Sequence, residues 1–139
     1  MNVVTFRVPM RPAPKERPRA GKGNRIYTPK RTHDNEAFVL TAWRHARLPR
    51  VPASAPFTVS SEFFYQRPAS HLRKDGALSA EGMRRPVPRG ADIDNLQKLV
   101  LDALNGWAWE DDALCTRSIA EKLWGPHDEI IVRIFWREP

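Results

Sequence analysis

The sequence has little of what several common catalytic sites require. Cys115 is its only cysteine, which excludes an internal disulfide and a cysteine-rich zinc site. Its four histidines show no H-x-x-x-H or similar spacing, so a histidine-held metal is not indicated. A G-x-S-x-G elbow and a glycine-rich phosphate loop are also missing, which argues against the chemistry those motifs support. We expect Cys115 to be a small, buried apolar residue.

Long apolar runs are also absent. The uninterrupted apolar stretches are short, and a membrane-spanning helix needs about 20 apolar residues. Residues 1–7 alternate between apolar and polar instead of forming the apolar stretch of a signal peptide. We therefore expect a cytoplasmic protein with no membrane partner. Its composition, 41% hydrophobic and 28% charged, is typical of a soluble globular chain.

The length and the apolar periodicity predict the fold class. A chain of 139 residues is expected to form a single domain, residues 1–139. Alternating patterns predict strands at residues 3–8, 57–65, 113–124 and 129–137. Helical periodicity predicts a helix capped by Thr32 or Asp34 that runs to about Arg47, and a second helix from Asp94 to Gly106. The order β-α-β-α-β-β indicates an α+β fold, in which two helices pack on a small mixed β-sheet.

Positive charge is concentrated in two proline-containing loops, at residues 9–31 and 66–91. The formal net charge is +7; residues 11–31 hold eight Lys or Arg against one acid, and residues 66–91 hold six against two. The prolines predict an extended, poorly hydrogen-bonded first loop. The second loop shows little periodicity, and a loop of that length is usually functional or mobile. A polyanionic partner such as DNA would explain this charge.

Acidic residues gather directly after the second basic loop. Residues 92–112 hold six Asp or Glu and one base, Lys98. If Asp92, Ile93 and Asp94 are extended, both carboxylates point to one side and Ile93 points into the core. Lys98 follows Asp94 by four residues, which places the two on one helix face.

Two interpretations of this acidic cluster remain open at this point. A divalent cation would relieve the repulsion between the carboxylates, and magnesium held there could promote phosphodiester hydrolysis with Lys98 beside the phosphate. Asp102 extends the polar stripe that Asp94 and Lys98 form on the helix. Residues 110–112 could return to the end of the structure where Asp92 and Asp94 lie. Alternatively, Asp94 is an N-cap that forms a capping box with Gln97, Lys98 is an ion-pair partner of Asp94 or Asp102, and residues 110–112 are turn residues.

Three motifs carry a family resemblance: Asp92-Ile93-Asp94-Asn95-Leu96-Gln97-Lys98, Asp102-Ala103-Leu104 and Trp109-Glu110-Asp111-Asp112. Together they resemble the signature of the RusA family of Holliday junction resolvases. Pro14-Lys15-Glu16-Arg17-Pro18-Arg19 and Tyr27-Thr28-Pro29 resemble the basic loop of its phage-type members, and the resemblance reaches Lys122. It implies a homodimeric endonuclease of bacteria or phages, which makes symmetric nicks in four-way DNA junctions. The implied cofactor is Mg²⁺, which Mn²⁺ could replace.

The resemblance also implies individual roles. The metal-binding carboxylates would be Asp92, Asp94 and Asp112, with Lys98 as the essential lysine and with Asp102 and Asp111 as supporting neighbours. The candidate DNA-binding residues are Lys15, Arg17, Arg19, Arg25, Lys30, Arg31, Arg84, Arg85, Arg89 and Lys122. Two alternatives stay open, a nuclease for flaps, forks and other branched DNA, and a non-catalytic DNA-binding homologue.

Overall fold

A computed structural model describes residues 1–138 of the chain. Its strands are β1 (Asn2–Val8), β2 (Arg19–Ala20), β3 (Ile26–Tyr27), β4 (Phe57–Gln66), β5 (Cys115–Gly125) and β6 (Glu129–Trp136). Its helices are α1 (Lys30–Ala46), α2 (Ala80–Met83) and α3 (Ile93–Leu104). The four long strands form one mixed sheet in the order β1-β6-β4-β5, and β2 and β3 form a separate ribbon. The predicted α+β fold is therefore confirmed.

Strand β4 lies inside the sheet, antiparallel to β6 on one side and parallel to β5 on the other. Its alternating pattern buries one face, formed by Phe57, Val59, Ser61, Phe63 and Tyr65. Parallel neighbours cannot be joined by a tight turn, so the chain must cross over between β4 and β5. Helix α3 lies in this crossover, and it packs against both β5 and α1.

Helix α3 divides sharply into an apolar and a polar face. Its buried apolar residues are Leu96, Leu99, Val100, Ala103 and Leu104. Burial of each large apolar side chain contributes about 1.5–3 kcal/mol, so this face holds the helix firmly in the core. Among the helices of residues 1–138, none has the length and apolar character needed to cross a membrane.

The start of α3 differs from the prediction. The helix begins at Ile93, and Asp92 is its extended N-cap residue, whose carbonyl accepts the N–H of Leu96 at 3.1 Å. Asp94 is therefore already helical and is not the cap. Ile93 is 39% exposed instead of being buried in the core, because a helical backbone at Ile93 removes the alternation that an extended segment would have imposed.

Gln97 does not complete the expected capping box. Its amide is buried and donates to the Ser118 Oγ at 2.8 Å and to the Ile119 carbonyl at 3.2 Å, both on β5. A buried amide must find partners inside the protein. Gln97 therefore links α3 to the sheet instead of closing the end of its own helix.

Two other boundaries are shifted. Helix α1 begins at Lys30, before the expected caps, because Pro29 supplies a fixed φ of −53° at its N-terminus. Strand β5 begins at Cys115 because residues 112–114 form a 3₁₀ turn. Cys115 is half-buried against the core instead of fully buried, and burial raises the pKa of its thiol.

The second basic loop, which showed little periodicity, folds into an ordered lobe, here called the Arg67 lobe (residues 67–85). The Arg67 guanidinium lies 4.9 Å from the ring centre of Trp124. It donates to the carbonyls of Gly82 at 3.1 Å and Arg85 at 3.2 Å. The indole of Trp124 donates to the same Arg85 carbonyl at 2.8 Å. These bonds close the lobe against the end of β5.

Gly82 marks the closest packing inside this lobe. It lies in α2, and its N–H donates at 3.1 Å to the hydroxyl of Ser79, the N-cap residue. A Cβ at position 82 would lie 2.2 Å from the carbonyl oxygen of His71. Only glycine fits there, so the lobe depends on close backbone packing as well as on the Arg67 hydrogen bonds.

Replacing Leu99 tests the packing of α3. Because Leu99 is fully buried, we expect Leu99→Ala to lower the free energy of unfolding by about 2–5 kcal/mol. Ile93→Ala is the matched control on the same helix and should cost less than about 1 kcal/mol, because Ile93 is 39% exposed. Urea denaturation measures both. Equal losses would contradict the observed start of α3, since they would place Ile93 in the core.

Candidate active site

Three acids and a lysine line one concave surface beside α3, here called the acidic pocket. Asp94, Lys98 and Asp102 follow one another at four-residue intervals on the helix, so they share a face. Asp112 reaches the pocket from the turn before β5, and Ser118 of β5 also lines it. The crossover brings these residues together, because it lays α3 against β5 while the apolar face of the helix stays in the core.

The carboxylate of Asp112 is held in place by its neighbours. The indole N–H of Trp109 donates to its Oδ1 at 2.7 Å, and its own backbone N–H donates to the side-chain oxygen of Asn105 at 3.0 Å. Trp109 is fully buried and stacks on Phe57, with 4.4 Å between the ring centres. One rigid aromatic residue thus connects the hydrophobic core to the carboxylate.

The pKa of Asp112 lies above its ordinary value. Burial is the main cause; the indole hydrogen bond of Trp109 opposes the rise, the charges of Asp102 and Asp111 add to it, and Lys98 opposes it. An ionised Asp112 is therefore repelled by its acidic neighbours. A cation bound in the pocket would remove that repulsion.

Asp92 lies in a neighbouring depression, here called the adjoining groove. This groove is lined by residues 14–19 of the first basic loop, by residues 90–92 and by Asn95. The structure thus brings Asp94, Lys98 and Asp112 into one pocket, whereas exposed Asp92 faces the groove beside it.

The donor atoms of the acidic pocket are those that one class of metal ion prefers. Within residues 1–138, no group of three or more Asp, Glu, His or Cys side chains is arranged to hold a metal ion. The acidic pocket nevertheless offers the carboxylates of Asp94 and Asp112 without sulfur or imidazole ligands. Magnesium prefers oxygen ligands, keeps several waters and is usually held by one or two carboxylates. The residues present therefore fit a hard divalent cation.

Lys15, which the sequence suggests as a DNA ligand, lies in an ion-pair network inside the protein. Its ammonium pairs with Asp102 of α3, and with Glu36 of α1 at 3.3 Å. Its backbone N–H donates to the Asn95 carbonyl at 3.0 Å. Burial lowers the pKa of Lys15, but the hydrogen bonds and charges of the two acids outweigh that effect and raise it. Lys15 thus fastens the first basic loop to α3 and neutralises Asp102.

Lys122 also has a partner inside the protein. It is half-buried on β5, and its ammonium donates to the carbonyl of Ala91 at 2.8 Å. Ala91 directly precedes Asp92, so this bond fixes the backbone at the point where the second basic loop enters α3.

The other candidate DNA-binding side chains are all exposed: Arg17, Arg19, Arg25, Lys30, Arg31, Arg84, Arg85 and Arg89. Several pair with acids on the surface, namely Arg19 and Arg31 with Glu16, Lys30 with Asp34, and Arg84 and Arg85 with Glu81. Exposed ion pairs contribute about 0–1 kcal/mol each, so a phosphate can compete for these bases.

Sequence reasoning missed three residues that shape the site. Trp109 orients Asp112, Asn105 binds the backbone of the same residue, and Gln97 holds α3 to β5. The three-residue spacing of Trp109 and Asp112 in a turn was the available signal for the first contact. The Asn105 contact depends on how the connection between α3 and β5 folds, and the Gln97 contact depends on how the helix meets the sheet.

The fold and the site together define a class of protein. An α+β fold that gathers carboxylates and a lysine in an open pocket, beside a groove lined with arginine, offers the groups that a metal-dependent phosphodiesterase would use.

A comparison with known protein families identifies the family to which the chain belongs. Residues 9–135 match the profile described as endodeoxyribonuclease RusA, and the chain belongs to that family. No individual curated protein shows a significant match to the chain. The family contains Holliday junction endodeoxyribonucleases, which act on branched DNA and generally depend on a divalent metal. The protein is accordingly an endodeoxyribonuclease, which hydrolyses phosphodiester bonds.

Replacing Lys15 tests its role as an anchor. The Lys15 side chain is only 21% exposed, and it faces two carboxylates that would lose their partner. We expect Lys15→Met to lower the free energy of unfolding by about 1–3 kcal/mol. The control is Lys30→Met: the Lys30 side chain is 89% exposed in its pair with Asp34, and its loss should cost less than about 1 kcal/mol. Urea denaturation decides, and equal effects of the two variants would argue against the anchor.

Proposed function

We propose that the protein resolves four-way DNA junctions by paired, symmetric nicks in a reaction that depends on Mg²⁺. We assign Asp94 and Asp112 as ligands in the acidic pocket and Asp92 as a third ligand, whose side chain would have to turn toward them from the adjoining groove. Lys98 would act at the scissile phosphate. Mn²⁺, which also accepts oxygen ligands, could replace Mg²⁺.

The observation that carries this proposal is the meeting of Asp94, Lys98 and Asp112 in one pocket. Asp94 and Lys98 come from α3, whereas Asp112 comes from a turn eighteen positions after Asp94. If Asp94 were only an N-cap, or Lys98 only a member of a local ion pair, Asp112 would not need to lie in the same pocket. The assignment of Asp92 is supported by the family motif and by its position two residues before Asp94.

The residues of the pocket have separable roles in this mechanism. When bound, Mg²⁺ would supply an activated water and neutralise charge on the phosphate. Asp112, fixed by the Trp109 indole, presents a carboxylate in a constant orientation. The exposed ammonium of Lys98 stabilises negative charge that develops on the phosphate oxygens.

Asp102 contributes in a different way. It lines the same pocket, but its carboxylate already pairs with Lys15. We assign it as an anchor of the basic loop and not as a ligand. The ion pair also reduces the negative charge that an approaching phosphate encounters.

Symmetric nicking requires a second active site. Two nicks at matched positions in opposing strands are made most simply by two sites related by a two-fold axis. We therefore propose a homodimer. Its substrate arises wherever two DNA duplexes recombine, so we expect the protein to act in the cytoplasm of a bacterium, as a host or phage product.

The first test is cleavage of a labelled, mobile four-way junction by the wild-type protein and by Asp94→Asn. The wild type should make paired nicks with Mg²⁺, none in EDTA and none in linear duplex. Asp94→Asn should lose at least about 100-fold in cleavage rate, because it removes a charged ligand, and it should still bind the junction. The matched control is Asp34→Asn, another exposed acid near the start of a helix, which should cleave normally.

The other results of this assay are also informative. Equal cleavage by Asp94→Asn and Asp34→Asn would contradict the site assignment. Binding of the junction without cleavage by the wild type would contradict the catalytic proposal. If the protein cuts flap and fork substrates as fast as the junction, it is a broader nuclease for branched DNA.

Replacing Trp109 tests the orientation of Asp112. Trp109→Phe keeps an aromatic ring beside Phe57 but removes the indole donor, so the ionised form of Asp112 loses a stabilising bond. We expect the Mg²⁺ concentration for half-maximal cleavage to rise about 10- to 100-fold. Trp43→Phe is the control, because the Trp43 indole N–H has no hydrogen-bond partner within residues 1–138. An unchanged Mg²⁺ requirement in a folded Trp109→Phe protein would refute this role.

A further inference from the structure

The β2–β3 ribbon (residues 19–27) is an exposed projection from the first basic loop. Arg19 pairs with Tyr27, and Ala20 pairs with Ile26, in antiparallel register. The N–H of Gly21 donates to the Arg25 carbonyl at 2.6 Å and closes the ribbon. The chain reverses through Gly23 and Asn24, which have φ values of 70° and 60°. Every residue of the ribbon except Gly21 is exposed.

The base of this ribbon is fastened on both sides by one acid. The carboxylate of Glu16 accepts hydrogen bonds from Arg19, where the ribbon begins, and from Arg31, shortly after it ends. The backbone N–H of Glu16 donates to the buried hydroxyl of Thr32 at 3.2 Å. These bonds connect the foot of the ribbon to the start of α1, whereas the side chains of the ribbon face solvent.

The ribbon combines positive charge with exposed apolar surface. Ile26 is 77% exposed and Tyr27 is 49% exposed. The sequence has no Asp or Glu from Arg17 to His33. The Tyr27 ring lies against Gly21, at which a Cβ would be only 3.3 Å from the ring, so the glycine gives the ring room to lie along the backbone.

Charge and position favour DNA as the partner of this surface. A basic surface fits a phosphate backbone, and apolar or aromatic side chains stack on bases that have left the duplex stack. The foot of the ribbon also leads into the active site, because Arg17 and Arg19 line the adjoining groove together with Asp92. A strand held in that groove would pass the ribbon.

We propose that the ribbon recognises the branch point of the DNA: Ile26 and Tyr27 pack against unstacked bases at the crossover, and Lys22 and Arg25 hold the neighbouring phosphates. Insertion of apolar side chains between base steps is an established way for proteins to open and bend DNA. A continuous duplex resists such insertion more strongly, because each of its base pairs is stacked on both sides, whereas stacking is interrupted at a crossover. The ribbon thus gives the enzyme its preference for branched over linear DNA. This inference rests on the proposed function, in that the substrate is a junction.

The test measures base unstacking directly. A four-way junction carries 2-aminopurine, a base analogue that fluoresces when unstacked, next to the crossover, and proteins are added in EDTA so that no cleavage occurs. The wild type should raise the fluorescence. The double variant Ile26→Ser/Tyr27→Ser should abolish that rise and weaken junction binding about 10- to 100-fold, with little change in duplex binding. Tyr27→Phe, which keeps the ring, should behave as the wild type.

Matched variants separate this effect from loss of charge or of any exposed aromatic residue. Trp107→Ser removes another exposed aromatic side chain, 46% exposed and lying beside Arg44, and should leave the fluorescence rise intact. Lys22→Gln/Arg25→Gln should weaken junction and duplex binding together and reduce the dependence of binding on salt.

Three results would overturn the inference. The first is an undiminished fluorescence rise with Ile26→Ser/Tyr27→Ser. The second is an equal loss of junction and duplex affinity in that variant, which would make the ribbon only a general contact. The third is junction cleavage by the variant at the wild-type rate. The wild type distinguishes these results from failure of the proposed function: if it neither prefers nor cuts junctions, the function itself is wrong.

Discussion

The burial of one face of α3 is the constraint on which the candidate active site depends. Because Leu96, Leu99 and Leu104 are completely enclosed, the helix cannot rotate about its axis without exposing them. Asp94 and Lys98 are therefore kept on its exposed face, in the pocket that Ser118 of β5 also lines. The apolar contacts that fix this orientation contribute more than exposed ion pairs could. The pocket thus gains its geometry from the core below it, and its polar side chains remain available for a ligand.

Two consecutive residues, Lys15 and Glu16, form ion pairs with opposite charges on the two neighbouring surfaces. Lys15 turns inward and neutralises Asp102 at the wall of the acidic pocket. Glu16 pairs instead with the arginines at the foot of the ribbon. This short segment therefore lies between an acidic surface and a basic one, and each of its two residues pairs with the charges on its own side. The arrangement explains how a cluster of carboxylates can lie next to a surface rich in arginine.

Local patterns in the sequence predicted most of the fold but only part of the site. Periodicity located the long strands and the two large helices. The motif singled out Asp94, Lys98 and Asp112, which the fold brings into one pocket. Contacts between distant segments could not be predicted in this way. Lys15 meets Asp102 across 87 positions, and Lys122 meets Ala91 across 31. Both bases were expected to contact DNA, because a sequence gives the charge of a lysine but not its neighbours.

The Arg67 lobe has a consequence for how such an enzyme can change over evolution. The first and last parts of the lobe meet at Trp124. The hydrogen bonds that Arg67 donates to Gly82 and Arg85 hold the lobe together, and both acceptors lie within the lobe. The entropic cost of closing such an insertion grows slowly with its length. The lobe can therefore be lengthened, shortened or exchanged while the sheet and α3 are inherited unchanged. Related enzymes could diverge in this appendage and still share one catalytic framework.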